Sequence, residues 1–369
     1  MRVRCIETTK EGKVRGNIFM DDNAFSFGEI SFKDWIITDV RRLGESDLDE
    51  DEKRSRIVPG FIDIHMHGCC GYDTCSATKE EFIKMAAYER KRGITSFMPA
   101  TMTLKSDELI NICERISDVM DDETSIKGIY LEGPFISKEK CGAQNPDNAI
   151  LPNDEIFEKI WQASKGKIKI VTVAPELDGA KGFINKNKDR VICSIGHTDA
   201  SYDETVKAFE AGAHHLTHLY NAMTGMDHRN PGVVGAAFDN DVNAEIICDG
   251  KHVHPAVIRN TFRIFGGENV IMISDSMQAT GMPDGVYRLG DQTVYKEGKK
   301  ATLKDGTLAG SVSDLSDCFE YVISQGISIE QAIMACTCNP ARTIGIFDEV
   351  GSIKTGKRAD LIVIEDEGI

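Results

Sequence analysis

The sequence contains no apolar run that approaches the roughly 20 residues of a membrane-spanning helix. Its first residues, Met1 to Glu7, lead into charged and polar positions without the apolar segment of a secretory signal peptide. We therefore expect a cytoplasmic protein with no membrane partner. The chain also lacks a basic excess, because 43 Lys and Arg residues stand against 59 Asp and Glu residues, a formal charge of -16. This acidic balance argues against a nucleic-acid partner but allows a small anionic substrate where basic residues cluster.

The eleven cysteines follow no secretory signal and no zinc-knuckle spacing. They are spread through predicted helices and strands, which indicates reduced thiols in a reducing compartment. Cys69, Cys70 and Cys75 follow a pair of histidines and are candidates for metal ligands. Small buried residues or loop thiols are the better interpretation, since their spacing fits no zinc-knuckle pattern.

The middle of the chain alternates short apolar runs with helical patterns at the intervals of repeated βα units. Helical periodicity lies between most of the runs, for example at 79–91, 106–120, 203–211 and 254–265, and further helices are predicted at 314–324 and 329–337. Eight parallel strands with intervening helices predict an α/β fold, a TIM-like (β/α)8 barrel. The apolar runs are residues 61–65, 95–98, 126–131, 168–173, 191–195, 214–218, 244–248 and 270–274.

Both ends of the chain differ from this repeat. Residues up to about 56 contain short alternating segments interrupted by glycines and an acidic run, and the last segment is again a turn followed by a strand. We predict one small β-domain formed from both chain ends, with parts at 1–57 and 344–369. The barrel then spans 58–343, with a hairpin-like insertion near 284–310.

Two histidines stand at the end of the first predicted strand. His65 and His67 are spaced by one residue, so on a strand their side chains point to the same face. They would offer two neutral imidazoles to one metal ion, and imidazole suits Zn, Fe and Ni. The pair alone is equally compatible with two hydrogen-bonded structural histidines, so its meaning depends on ligands further along the chain.

Other predicted strands also end in residue types that bind metals or transfer protons. Glu132 ends strand three, His197 strand five, His218 strand six and Asp275 strand eight. In a barrel of this kind the chemistry lies at these strand ends. Each residue has a structural alternative, such as a loop cap, a hydrogen-bonded barrel histidine or a helix N-cap. Taken together with the histidine pair, they favour a metal centre.

The residues around these candidates form six motifs, which are His65-x-His67, Leu131 to Pro134, Gly196 to Thr198, Thr217 to Met223, Asp249 to Val253 and Ser274-Asp275. This set resembles the N-acetylglucosamine-6-phosphate deacetylases of the amidohydrolase superfamily. The resemblance runs from about residue 59 to the C-terminal Gly-x-x-x-x-Gly-x-x-Ala-Asp-Leu segment. Many hydrolases share that ending, whereas Leu-Glu-Gly-Pro combined with His-Leu-Tyr-Asn-Ala-Met is specific to these deacetylases.

The resemblance implies a reaction and a metal site. The acetamide of N-acetylglucosamine 6-phosphate would be hydrolysed to glucosamine 6-phosphate and acetate, in amino-sugar catabolism or recycling. Glu132, His197 and His218 would bind the principal ion. Some family members lack the His-x-His pair and work with one ion; because both histidines are present here, a second ion beside His65 and His67, bridged to the first by Glu132, is the alternative. One or two divalent ions per subunit are expected, with zinc favoured and iron, cobalt or manganese as alternatives.

In the same way, the resemblance assigns the proton transfers and the contacts of the acetylated sugar. Asp275 would take the proton of the attacking water and then deliver a proton to the leaving amine. His252 would hydrogen-bond the sugar. Where the family often has a histidine close to the acetyl oxygen, this chain has Gln144, preceded by Ala143. An amide still donates a hydrogen bond but does not titrate, so a charged-donor role is in doubt here.

The phosphate group would be bound by Arg229, with Asn221 and the backbone N–H of Ala222 nearby in sequence. The planar guanidinium of arginine suits phosphate geometry. In the family the matching arginine reaches into the neighbouring subunit's site, which implies a homodimer with Arg229 acting in trans. An ordinary surface arginine is the structural alternative.

Several alternatives remain open from the sequence. The substrate could be N-acetylgalactosamine 6-phosphate. A cyclic-amide hydrolase of the dihydroorotase type is disfavoured because Lys167 and Lys169 begin strand four, whereas a bridging carboxylated lysine would end it. A purine or pyrimidine deaminase is disfavoured by the deacetylase-type motif after strand six. A non-enzymatic scaffold is disfavoured because every candidate metal ligand is retained together with Asp275. The remaining histidines are interpreted as structural or surface residues, His215 on the strand face opposite His218; they are His214, His215, His228 and His254.

Overall fold

A computed structural model describes residues 2–6 and 10–365 of the chain. Strands and helices alternate through its middle, whereas strands dominate both ends. The strands are β1 (Arg2–Cys5), β2 (Glu11–Phe19), β3 (Phe25–Lys33), β4 (Ile36–Arg42), β5 (Arg56–Pro59), β6 (Phe61–Met66), β7 (Gly68–Cys69), β8 (Tyr72–Asp73), β9 (Ile94–Thr101), β10 (Ile129–Phe135), β11 (Ile168–Val173), β12 (Ile192–Ile195), β13 (His215–Leu216), β14 (Asn243–Ile247), β15 (Val270–Ile273), β16 (Gly285–Leu289), β17 (Gln292–Glu297), β18 (Lys300–Thr302) and β19 (Leu361–Glu365). The helices are α1 (Glu50–Arg54), α2 (Lys79–Lys91), α3 (Ser106–Met120), α4 (Asp154–Ala163), α5 (Ala180–Asn187), α6 (Tyr202–Ala211), α7 (Gly232–Phe238), α8 (Pro255–Phe265), α9 (Leu315–Ser324), α10 (Ile329–Cys336) and α11 (Cys338–Thr343). Short 3-10 helices lie at Glu45–Asp47 and Pro146–Asn148.

The central element is a sheet of eight parallel strands in the order β6, β9, β10, β11, β12, β13, β14, β15. Each strand therefore pairs with the next strand of the repeat, and helices lie between them. The first and last strands meet where the backbone N–H of Asp275 donates a 3.0 Å hydrogen bond to the carbonyl of His65. The sheet forms a nearly closed barrel, and the predicted TIM-like (β/α)8 fold is confirmed.

Polar side chains fill part of the barrel interior. The phenol of Tyr130 on β10 lies 2.8 Å from the hydroxyl of Thr217, which follows β13 and so comes from a non-adjacent strand. The Thr217 hydroxyl also lies 3.1 Å from Thr172 Oγ1 and 2.6 Å from Ser194 Oγ. Because these bonds cross between strands of one barrel, they tie its walls together from within.

The helices form where the sequence carries both an end signal and an apolar face. The Thr78 hydroxyl accepts from the Glu81 N–H, and the Glu81 carboxylate accepts from the Thr78 N–H, which starts α2 with a reciprocal cap. On α3, Leu109, Ile112 and Ile116 are buried at the spacing of one helical face. The predicted bounds of α2 and α3 are confirmed, and the other predicted helices are found to within a residue at each end.

The chain ends meet in a six-stranded sheet in the order β1, β19, β5, β2, β3, β4. The C-terminal strand β19 lies antiparallel between β1 and β5, with Ile364 opposite Val3. The apolar side chains of this sheet form a buried cluster of their own. The predicted small β-domain formed from both chain ends is confirmed; residues 1, 7–9 and 366–369 of that prediction lie outside the described residues.

The insertion after the eighth barrel strand is a three-stranded antiparallel sheet, β16 to β18, rather than a simple hairpin. Its first strand begins at Gly285. The sheet is fixed to the barrel because the Gly290 N–H donates a 2.9 Å hydrogen bond to Asp73 Oδ2 and Leu289 is buried. Leu289 and Leu308 line the central cavity, so the insertion forms one wall of it.

All eleven cysteines lie in the described part of the chain as free thiols, which agrees with the prediction from their spacing. Seven of them are buried, as expected for small apolar side chains. Within residues 2–6 and 10–365, no helix combines the length and apolar character needed to cross a membrane.

Candidate metal centre and active site

The side chains proposed from strand ends converge at one mouth of the barrel. His65 lies on β6 with His67 one residue beyond that strand, and Glu132 lies on β10. His197, His218 and Asp275 each stand two residues after the end of β12, β13 and β15. Because parallel strands of a barrel all end on the same side, residues distant in sequence are brought together there.

Three of these residues have a backbone conformation that is uncommon outside glycine. The φ angles are 46° at His197, 28° at His218 and 49° at Asp275. A non-glycine residue in this left-handed region costs about 1–3 kcal/mol and is characteristic of functional sites. The sharp turn directly after each strand directs these side chains back over the barrel axis.

The first candidate metal group consists of Glu132, His197 and His218. Glu132 Oε1 lies 3.0 Å from His197 Nε2 and 2.9 Å from His218 Nε2, and the two Nε2 atoms are 3.0 Å apart. Two ligands about 2.1 Å from a tetrahedral zinc ion would be about 3.4 Å apart, so only a small expansion is needed. The donor set and its spacing fit a divalent cation.

The second candidate group consists of His65, His67 and the same Glu132. His67 Nε2 lies 3.1 Å from Glu132 Oε2, and His65 Nε2 lies 3.5 Å from Glu132 Oε1. Asp275 Oδ1 is 3.3 Å from His67 Nε2 and 3.8 Å from His65 Nε2. Glu132 is therefore common to both groups, and Asp275 adjoins the second.

Burial and mutual charge shift the titration of this centre. Burial would raise the pKa of Glu132, but His65 and His197 outweigh it and hold that pKa well below its ordinary value. Burial would lower the pKa of His67, but Asp275 and Glu132 raise it to about 9. Imidazolium charge thus balances the carboxylates where no cation is bound. A divalent cation would take over that role, since histidines bind metals in their neutral form.

A cavity of about 260 Å³ opens above the candidate ligands. Five of the six residues proposed to contact the substrate line it, namely Ala143, Gln144, Asn221, Ala222 and His252. The sixth is Arg229. The Gln144 carbonyl accepts a 2.6 Å hydrogen bond from the Thr103 N–H, and its amide group donates to Glu132. The Gln144 side chain is therefore oriented with its donor toward the centre.

His252 is held at the cavity wall by an acidic neighbour. Its Nδ1 lies 2.8 Å from Asp249 Oδ2, and its backbone N–H donates to Asp249 Oδ1 at 2.9 Å. Burial would lower the pKa of His252, but Asp249 outweighs it and raises that pKa. The loop after β14 thus presents a fixed imidazole to the cavity.

Arg229 lies outside this cavity. It is exposed and lines a different surface pocket together with Asp199, Tyr202 and Asn230. Its backbone N–H donates to Asp227 Oδ1 at 3.0 Å. Within one chain, the structure therefore does not bring Arg229 to the other candidate residues.

One residue near the centre was not identified from the sequence, and a second was predicted on the wrong face of its strand. Glu245 on β14 is fully buried and lies 3.0 Å from His65 Nδ1. His215 does not lie on a face opposite His218, because β13 ends at Leu216 and the positive φ of His218 turns its side chain inward. His215 instead faces the barrel interior, 2.9 Å from Ser194 Oγ. A glutamate within an apolar strand run was the available signal for Glu245, since buried acids are normally paired.

An eight-stranded parallel barrel with histidine and carboxylate ligands at its strand ends defines a metal-dependent hydrolase of the barrel type. The family model described as "Amidohydrolase family" matches residues 56–367. A protein from Bacillus subtilis (strain 168), named N-acetylglucosamine-6-phosphate deacetylase, is 41% identical over 325 residues, which cover 85% of this chain and 81% of that protein. A protein from Escherichia coli O157:H7, named N-acetylgalactosamine-6-phosphate deacetylase, is 32% identical and covers 91% of this chain and 90% of its own length.

Solved structures agree with these relatives. A substitution variant of N-acetyl-D-glucosamine-6-phosphate deacetylase from Mycobacterium smegmatis, in complex with N-acetyl-D-glucosamine-6-phosphate, superimposes with a TM-score of 0.91 at 31% identity. The match covers 97% of this chain and 96% of that one. The chain belongs to the amidohydrolase family and, within it, to the N-acetylglucosamine-6-phosphate deacetylases.

Proposed function

We propose that this chain hydrolyses the acetamide of N-acetylglucosamine 6-phosphate to glucosamine 6-phosphate and acetate, in amino-sugar catabolism or recycling. The observation that carries the proposal is the convergence of two histidine groups on Glu132, with Asp275 beside them at the cavity. The relatives from B. subtilis and M. smegmatis, which bear the name of this activity over most of the chain, support it.

Asp275 is the proposed proton-transfer residue. Burial would raise the pKa of Asp275, but its contact with His67 and the nearby charge of His65 outweigh it and lower that pKa. The carboxylate is therefore ionised near neutral pH and can accept a proton. We assign it as the base that takes a proton from the attacking water and as the acid that protonates the departing amine.

The proposed ligands divide into two sets that share one carboxylate. Glu132, His197 and His218 would hold the principal ion, and His65 with His67 would hold a second ion next to Glu132. A divalent cation bound there supplies Lewis-acid polarisation of the acetyl carbonyl and a lowered pKa for the attacking water. Zinc is favoured by the imidazole-rich donor set, and iron, cobalt or manganese would accept the same set. Metal analysis of protein purified without chelator identifies the ion.

The cavity residues would position the sugar. The amide of Gln144, already oriented by Thr103, would donate a hydrogen bond to the acetyl oxygen, with Ala143 beside it. His252, held by Asp249, would contact the sugar hydroxyls. Asn221 and Ala222 follow the turn at His218 and would contact the phosphate end.

The proposed active form is a homodimer in which Arg229 reaches the partner's cavity. The exposure of Arg229 and its place in a separate pocket support this arrangement, because an exposed loop side chain is available to a second subunit. Met226 in the same loop is 61% exposed, as expected for an apolar residue that a second subunit would cover.

We further propose the domain division stated above, with a barrel at 58–343 and a small domain at 1–57 and 344–369. The pairing of β19 with both β1 and β5 supports a single small domain. The free thiols and the sequence pattern support a cytoplasmic location.

The experiment that tests the function is a hydrolysis screen with N-acetylglucosamine 6-phosphate and N-acetylgalactosamine 6-phosphate, each with and without the phosphate, in which released acetate is measured. Acetate released fastest from the phosphorylated glucosamine derivative is the expected result. Equal rates with and without phosphate would contradict a phosphate-dependent site, and no acetate from any of the four would contradict the deacetylase activity.

N-acetylgalactosamine 6-phosphate is the second candidate substrate. The specific observation in its favour is the E. coli O157:H7 relative, which bears that name and covers 91% of this chain. The two sugars differ only in the configuration at carbon 4, so the same proton-transfer and metal groups would serve both. The same screen decides between them.

A further inference from the structure

Glu245 is a buried acid that no step of the proposed reaction uses. It lies in the middle of β14 between Ala244 and Ile246, both of which are also fully buried. Carboxylates are almost never fully buried unless they are paired. The hydrogen-bond partners of the Glu245 carboxylate therefore indicate its role in the barrel interior.

One oxygen of Glu245 contacts both candidate metal groups. Oε2 lies 3.0 Å from His65 Nδ1 and accepts a 3.1 Å hydrogen bond from the backbone N–H of His218. His65 comes from β6, with β15 between it and β14, so this contact crosses the barrel interior. A single carboxylate oxygen thus joins the side chain of one proposed ligand to the backbone of another.

The contact determines which nitrogen of His65 is available to a cation. Because Oε2 already accepts the His218 backbone N–H, it acts as an acceptor toward Nδ1 as well, and the proton of a neutral His65 then lies on Nδ1. The lone pair is then on Nε2, the atom that faces Glu132 at 3.5 Å. The ring is also stacked on Tyr130 with 4.1 Å between centroids, which restricts its tilt.

No other proposed histidine ligand has a carboxylate on its far side, among the residues the structure describes. His197 Nδ1 contacts the backbone carbonyl of Lys140 at 3.1 Å. The Nδ1 atoms of His67 and His218 are buried with no hydrogen-bond partner in the described part of the chain. The side-chain support is therefore concentrated on His65, in the group proposed to hold the second ion.

We propose that Glu245 is a positioning residue that determines whether the second ion binds, by fixing the tautomer and orientation of His65. The inference rests on the two-ion ligand set of the proposed function. The principal ion is affected less, because Glu245 contacts only the backbone of His218, whose Nε2 remains 2.9 Å from Glu132. Carboxylate partners of metal-binding histidines typically contribute 10- to 100-fold to metal affinity.

The test is the number of ions bound per chain and the affinity of the weaker one. Glu245→Gln keeps the shape of the side chain but replaces the carboxylate by an amide, whose oxygen accepts more weakly and whose nitrogen can donate to Nδ1, so the tautomer of His65 is no longer fixed. We expect this variant to retain one ion after dialysis and to bind the second roughly 10- to 100-fold more weakly in a chelator competition. The wild type should bind two ions, and His65→Ala should resemble Glu245→Gln.

Ser194→Ala is the matched control. Ser194 belongs to the same buried interior network, through His215 and Thr217, but contacts no proposed ligand. It should therefore keep both ions at wild-type affinity, which separates loss of the Glu245 contact from general loosening of the barrel. A second-ion affinity in Ser194→Ala as low as in Glu245→Gln would overturn the proposal.

Other outcomes would also overturn it. Glu245→Gln binding both ions with wild-type affinity, or losing both equally, contradicts a specific role at His65. If Glu245→Gln does not fold, Glu245→Asp decides, since the shorter carboxylate cannot reach both partners and should also weaken the second ion. A wild type that releases acetate with a single ion would overturn this inference and leave the proposed function intact. If the wild type binds two ions, Glu245→Gln weakens the second, and no acetate is released, the inference would stand and the proposed function would be overturned.

Discussion

The candidate metal centre and the loop that carries Arg229, residues 224–230, are built in opposite ways. Glu132 is 2% exposed and His218 4% exposed, and their ligand atoms lie within a few ångströms of each other in a single chain. Arg229 and its loop neighbours lie on the surface beside a separate pocket. Strand ends are gathered by the topology of the barrel, whereas a loop residue reaches a site only where another surface is brought to it. The predictions below test that difference.

Loss of a principal ligand should have the largest effect. We expect His197→Ala or His218→Ala to lose the principal ion and with it almost all turnover, because a divalent ion held there would polarise the acetyl carbonyl and lower the pKa of the attacking water. The combined change His65→Ala with His67→Ala should cost at most the second ion. Metal analysis by mass spectrometry, with acetate release beside it, measures both. Equal metal loss in all variants would mean that the division of the ligands into two sites is wrong.

Asp275→Asn should retain metal and substrate but lose turnover. The amide has nearly the same shape and cannot accept the water's proton, so we expect kcat to fall by about 10²–10⁴-fold, the usual contribution of a positioned base. Steady-state kinetics together with the metal content of the same preparation provide the check. Turnover like that of the wild type would remove Asp275 from the mechanism.

Arg229→Ala tests whether the exposed loop contributes to binding of the phosphorylated sugar. A charge-assisted bidentate contact contributes roughly 1.5–3 kcal/mol, which corresponds to about a 10- to 150-fold rise in KM for the phosphorylated sugar. The rise should vanish for unphosphorylated N-acetylglucosamine, while the metal content stays unchanged. An equal loss on both sugars would mean that the arginine does not bind the phosphate.

Mixing two inactive variants tests whether the arginine acts in trans. In a heterodimer of Arg229→Ala with Asp275→Asn, the site with intact Asp275 would receive Arg229 from the Asp275→Asn partner. Some activity should therefore return on mixing. It cannot return if each chain supplies its own arginine. Subunit exchange is confirmed separately, and exchange without recovery would place the arginine in its own chain's site.

The smallest effect is expected next to Arg229. His228→Ala removes an exposed side chain from the same loop, where His228 Nδ1 lies 3.2 Å from the adjacent Asp227. Kinetic constants for the phosphorylated sugar should stay within about twofold of the wild type, as for surface changes in general. A rise in KM as large as in Arg229→Ala would show that the loop conformation, and not the guanidinium, carries the effect.

Much of the fold was predictable because local patterns and barrel topology agree. The helices α2 and α3 were predicted with their observed bounds, since α2 begins with a reciprocal cap and α3 carries a regular apolar face. The short strand β13 was predicted too long because His218 leaves the strand with a positive φ, which apolar periodicity does not reveal. The insertion was predicted as a hairpin, whereas the structure adds a third strand, β18, paired antiparallel with β17.

The sequence by itself determined the barrel, the small domain and the residue types at the strand ends, because these depend on periodicity and on short motifs. Only the tertiary structure decided that Glu132 lies between two histidine groups and that Glu245 supports His65 from across the barrel. It also left Arg229 apart from the cavity. The physical reason is that such contacts join strands far apart in sequence, where distance and direction depend on how the sheet closes.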